Sequence, residues 1–170
     1  AMRDHLITSS GQNTTGASGF MTMLLKTIRE QNPTHIAVTF DTKAPTFRKD
    51  LFPAYKAHRQ EVDPALHEQI PIVKEILGPM GIPVYEYDGF EADDLIGTLS
   101  KQASEKGMKT LILTGDADQL QLVDEKTSLL MYTGFGEMRT YDPEGVAERY
   151  DGLGPEYVAE IKALEGDSSD

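Results

Sequence analysis

The chain contains no cysteine, which excludes disulfides and thiolate metal sites and fits a reducing, cytoplasmic setting. No apolar run is long enough to span a bilayer and none reads as a signal peptide, so no membrane partner is expected. There is no Gly-x-x-x-x-Gly-Lys phosphate loop, and Gly134-Phe135-Gly136 lacks the third glycine of a dinucleotide fingerprint. The four histidines lack zinc-protease spacing, and no Ser-His-Asp order can be argued. Positive charge is also scarce. Sixteen Lys and Arg against 28 Asp and Glu give a net charge of −12, whereas nucleic-acid binders are usually basic. The rest is ordinary: 170 residues, 39% hydrophobic and 26% charged, suit one soluble domain with a real core.

The carboxylates that outnumber the bases are not spread evenly. Asp41 closes the apolar run Ile36-Ala37-Val38-Thr39-Phe40, Glu91, Asp93 and Asp94 open a helix after Val84-Tyr85-Glu86-Tyr87, and Asp116 and Asp118 follow Leu111-Ile112-Leu113-Thr114. In a parallel α/β sheet these points lie along one edge, beyond the carboxyl ends of the strands, where such folds place their sites. Acids converging there would repel one another unless cations sat between them. Oxygen-only ligands favour Mg²⁺ or Mn²⁺, which points to phosphate chemistry.

The pattern predicts a loop over Thr8–Gly16, a helix over Ala17–Glu30 and a strand over Ile36–Phe40. Thr42–Asp63, broken by prolines, reads as a mobile loop or short helices. A helix over Pro64–Leu77 should face Leu66, Ile70, Val73 and Leu77 inward. A strand over Pro83–Tyr87, a helix over Glu91–Lys106 capped by Gly107 and a strand over Thr110–Thr114 follow. A short helix over Ala117–Leu122, a strand over Ser128–Tyr132 and an edge segment Arg139–Tyr141 come next. Asp142-Pro143 caps a helix through Tyr150, and Gly154-Pro155 opens the last helix, which ends near Gly166. This βαβα alternation predicts a mostly parallel central sheet flanked by helices.

Each acid also has a plainer reading. Acids at the Glu91 helix start are favoured by the helix dipole whatever the function. Asp41 alone reads as a turn former or cap, and Asp116-Ala117-Asp118 as an Asx turn. Asp116 to Glu125 is not an EF-hand, since Leu120 and Gln121 stand where an oxygen ligand and a glycine are needed. Asp116 as the nucleophile of a phosphatase leaves the Glu91 cluster unused. Co-location at three strand ends is what favours a shared site. Lys43, Arg48, Lys49, Lys56 and Arg59 face the single acid Asp50 between Lys43 and Arg59. That segment reads as a solvated face or, beside the acids, as a place where Tyr55 stacks on an unpaired base and Lys and Arg hold phosphate.

Six stretches carry a resemblance: Ala37–Asp41, Thr46-Phe47-Arg48, Tyr55–Arg59, Gly89–Leu99, Thr114–Val123 and Gly166–Asp170. In this order they resemble the 5′ nuclease domain of the flap endonuclease family, the kind found at the N-terminus of bacterial DNA polymerase I. The resemblance implies an α/β fold with a mobile helical arch and two or more Mg²⁺ or Mn²⁺ ions. Asp41, Glu91, Asp93, Asp116 and Asp118 would hold metal, with Asp94 adjacent and Asp167 and Asp170 completing the set. Arg48, Lys56 and Arg59 would meet the scissile phosphate, while Tyr55 and Lys49 would join them in contacting DNA. The partner would be DNA with a 5′ flap, a nick or a single-stranded 5′ end, with a polymerase domain in the same parent chain. A stand-alone 5′→3′ exonuclease and a non-catalytic structure-specific DNA-binding module are the alternatives. Residues 1–170 are expected to form a single domain. The family's first strand, with its Asp-Gly pair, and its C-terminal helix-hairpin-helix have no match here, and Asp4 does not replace that pair, so a fragment of a longer protein is expected.

Overall fold

The computed structural model describes residues 6–9, 11, 13–57, 64–134 and 137–166. They fall into two compact units, residues 6–40 with 64–85 and residues 41–57 with 86–166.

In the first unit, α1 (Thr15–Gln31) turns Ala17, Met21 and Leu24 into the core. It stops where Asn32 adopts φ 44, the left-handed conformation that ends helices, just before Pro33. β1 (Val38–Thr39) lies parallel to β2 (Val84–Tyr85), and Val38, Val73, Leu77 and Ile82 close the core with α1. The helix expected over Pro64–Leu77 is two helices, α3 (Pro64–His67) and α4 (Ile70–Leu77). Pro71 has no N–H to offer the His67 carbonyl and its ring crowds that carbonyl, so one continuous helix is not available. Gln69, buried at the break, accepts the Gly16 and Ala17 N–H groups at 2.8 and 3.1 Å and donates to the Ala65 carbonyl at 2.7 Å. Leu66, expected inside, is exposed as a result.

In the second unit, α2 (Phe47–Leu51) is one of the short helices expected in the proline-broken segment. The arch expected there runs on through 58–63, which lies outside the described residues. α5 (Ala92–Glu105) starts at the Glu91 cap and ends ahead of Gly107, whose φ of +76 suits the predicted terminator. β3 (Thr110–Thr114) pairs in parallel with β4 (Thr127–Gly134), and β4 pairs antiparallel with the edge strand β5 (Glu137–Tyr141). Ala117–Leu122 is a 3₁₀ helix. In α6 (Pro143–Arg149), Asp142 accepts the Gly145 N–H at 2.8 Å, the expected cap. Gly154-Pro155 leads through a 3₁₀ turn, Pro155–Tyr157, into α7 (Val158–Glu165). Ile112, Leu120, Leu129, Val146 and Val158 form the core.

The mixed α/β class is therefore as expected, and among the described residues two of the three strand pairings are parallel. The strands form two small sheets where one central sheet was expected. β1 and β2 are two residues each and exchange their bonds with one another: Val38 N–H donates to Pro83 and Phe40 N–H to Tyr85, at 3.0 and 3.1 Å.

Candidate active site

The described candidate residues, from Asp41 through Asp118, all belong to the second unit. Arg59, Asp167 and Asp170 lie outside the described residues. The centre of the group is the N-terminus of α5. Its first amides lack helical partners, and acids supply them. Asp41 Oδ1 accepts the Ala92 N–H at 2.7 Å, and Asp94 Oδ2 reaches back to the Glu91 N–H at 2.9 Å. A helix with this sequence thereby draws Asp41, Glu91 and Asp94 to one point.

The bases of residues 48–56 close on the same point. Arg48 donates two parallel bonds to Asp94, at 2.7 and 2.8 Å, the bidentate geometry a guanidinium favours. Lys56 Nζ donates to both oxygens of the buried Glu91 at 3.1 Å, and Tyr55 OH donates to Glu91 Oε2 at 3.1 Å. Lys56 has φ 56, a left-handed backbone that a non-glycine residue holds only where its surroundings require it. Lys49, on the same short helix as Arg48, is exposed.

The protonation equilibria follow this geometry. Bonds from Arg48 hold the Asp94 carboxyl below the usual range against the opposing effect of burial, and Arg48 is raised in turn. Burial works against the charge on Lys56, yet its bonds to Glu91 outweigh that and raise it. Burial, with Glu91 nearby, also raises Tyr55. Among the described residues, no base is bonded to Asp93. Burial first, then the charges of Asp116, Asp41 and Glu91, push it from 3.8 up to about 6. That elevation marks four carboxylates whose fields converge.

Asp116 is the cap of the 3₁₀ helix, its Oδ1 accepting the Asp118 N–H at 2.8 Å. Asp118 Oδ1 lies 3.0 Å from Lys162 Nζ on α7, a charge contact that lacks the alignment of a hydrogen bond. Lys162 belongs to none of the sequence motifs, and no spacing rule links a lysine on α7 to the turn after β3.

Among the described residues, no three His, Asp or Glu side chains stand close enough to hold one ion together. The donor chemistry still fits a hard divalent ion. All the groups are carboxylates, and the repulsion recorded at Asp93 is what such an ion relieves.

A mixed α/β fold with small sheets, and acids and bases gathered at a helix start after a strand, define a class that comparison identifies. Residues 1–151 match the family described as 5′-3′ exonuclease, N-terminal resolvase-like domain, and the chain belongs to it. The chain is 44% identical to DNA polymerase I of Mycobacterium leprae over 164 residues, covering 96% of this chain and 18% of that protein. It is 42% identical to DNA polymerase I of Chloroflexus aurantiacus over 174 residues, covering 100% of this chain and 18% of that protein. Thus the chain spans under a fifth of these relatives. In fold it is similar to T5 5′-exonuclease with divalent zinc bound (TM-score 0.70, 23% identity, 91% of this chain and 59% of that one). It is likewise similar to bacteriophage T5 flap endonuclease in a pseudo-enzyme-product complex with DNA and metal ions (TM-score 0.69, 22% identity, 91% of this chain and 59% of that one).

Proposed function

We propose that this chain is the 5′ nuclease part of a DNA polymerase I and hydrolyses phosphodiesters of DNA near 5′ ends, at flaps and nicks, with Mg²⁺ or Mn²⁺. The observation that carries this reading is the gathering of Asp41, Glu91 and Asp94 at the start of α5, with Lys56 and Arg48 bonded to the same point.

Divalent ions held by these acids, together with Asp118, Asp167 and Asp170, would supply an activated water and a counter-charge for the leaving oxygen. The chain's own groups do the remainder. Ionised Asp93 contributes its charge above about pH 6. Lys56 and Arg48, held charged by Glu91 and Asp94, stand ready to offset charge on a phosphate brought to the same point. Arg59 would join them in the arch, Lys49 would meet the neighbouring backbone, and Tyr55 would stack on the base beside the cut. The T5 complex, which holds DNA and metal ions on a similar fold, supports the substrate class.

The decisive assay is a labelled 5′-flap DNA incubated with Mn²⁺ or with chelator. Short 5′ products that vanish with chelator are expected, and cleavage that survives chelator overturns the metal-dependent reading. A second reading draws on the pairing of Glu91, Asp94 and Asp118 with Lys56, Arg48 and Lys162. Acids so engaged suit a DNA-binding module in which they serve only the fold. It predicts flap binding without cleavage, unaffected by metal.

A further inference from the structure

Phe47 and Phe90 have no part in the chemistry above. Their ring centroids lie 5.6 Å apart at 53°, and Phe90 lies 5.6 Å from Tyr87 at 59°. Phe47 is 39% exposed and Phe90 43% exposed, so the pair is not core and its removal leaves the two hydrophobic clusters intact.

Their position is what singles them out. The Phe47 N–H donates to the Gly89 carbonyl at 3.0 Å, and Gly89, at φ +88, makes the left-handed turn that delivers Phe90 and Glu91 to the start of α5. The next residue after Phe47 is Arg48, whose guanidinium lies 4.7 Å from the Phe47 ring centroid while it bonds Asp94. α2 itself is five residues long, buries none of them and has no side-chain cap. A helix that short does not hold its own position. Tyr55 and Lys56 tie the far end of the segment to Glu91, but next to Arg48 the ring contact and the Phe47–Gly89 bond are the ties to the turn before α5 that do not run through Arg48 itself.

We propose that Phe47 and Phe90 form an aromatic clasp that positions Arg48 on Asp94. They are positioning residues, acting through Arg48 rather than on substrate. The kinetic consequence rests on the nuclease reading; the effect on Arg48 does not.

The test uses the whole chain carrying Phe47→Ala, Phe90→Ala or Phe47→Tyr. In ¹⁵N spectra, a guanidinium in a bidentate pair rotates slowly. Arg48 is expected to show hindered rotation in the wild type and in Phe47→Tyr, and free rotation in both alanine variants, with cooperative melting kept throughout. On 5′-flap DNA, kcat in the alanine variants is expected to fall roughly tenfold, with a smaller change in KM and recovery in Phe47→Tyr. Hindered Arg48 rotation in both alanine variants overturns the clasp, as does a Phe47→Tyr protein that melts cooperatively with Arg48 freed. Should the wild type leave flap DNA uncut, the nuclease reading fails and the Arg48 spectra still decide the clasp. Should Phe47→Ala not fold, the Arg48 spectrum of Phe90→Ala decides it instead.

Discussion

Asp93 holds its proton more tightly in the folded chain than in the unfolded one, because burial and then the charges of Asp116, Asp41 and Glu91 oppose its ionisation. A raised carboxyl stabilises the fold below the ordinary 3.8, and that contribution is lost as pH rises through about 6. Asp94 works in the opposite sense. Its lowered pKa contributes stability above the ordinary value, lost as pH falls through the folded one. Asp93→Asn is therefore expected to raise stability at pH 7 without metal by ~1–2 kcal/mol, read in a denaturant melt. The same variant should lose roughly 100-fold or more of metal-dependent flap cleavage. A destabilised Asp93→Asn would contradict the repulsion. The sequence posed Asp41 as a turn former or cap and Asp116 as part of an Asx turn, or both as members of a shared site, and the local roles are what the structure shows. Each caps a helix with one oxygen while its charge still acts on Asp93. Lys162 was not legible, because its approach to Asp118 depends on how α7 packs.

At the scale of elements, α5 was readable almost to the residue, since Glu91 marks its start and Gly107 its end. The break between α3 and α4 was not, although Pro71 signals it, because the apolar spacing continues through it and Gln69 finds its partners on α1. Gln69→Ala leaves the Gly16 and Ala17 N–H groups without their acceptor. It is expected to cost ~2 kcal/mol, with hydrogen exchange quickening at the start of α1 and the three-stranded sheet unaffected. Unchanged exchange there would mean the Gln69 bonds do not hold the helix start. The two small sheets were also illegible: the runs around Val38 and Val84 look long enough for wider strands, yet only two residues of each pair.

Over the whole molecule, the charge of −12 opposes an approach to DNA; the basic segment from Lys43 to Arg59 offsets it locally, and on the proposed reading divalent ions at the acids would offset it further. Flap binding is therefore expected to strengthen about tenfold or more when Ca²⁺ replaces chelator at constant ionic strength, measured by fluorescence anisotropy. Equal affinity in both conditions would instead favour the module whose acids serve only the fold.

If Asp93 and the acids around it, Asp41, Glu91 and Asp116, form a divalent-metal site, titration of this chain with Mn²⁺, followed by calorimetry at pH 7.5 and at pH 5, reads it out. Saturable binding is expected at pH 7.5, weakening strongly at pH 5, where Asp93 is largely protonated, and lost in Asp116→Asn. Binding indifferent to both pH and Asp116→Asn would contradict it.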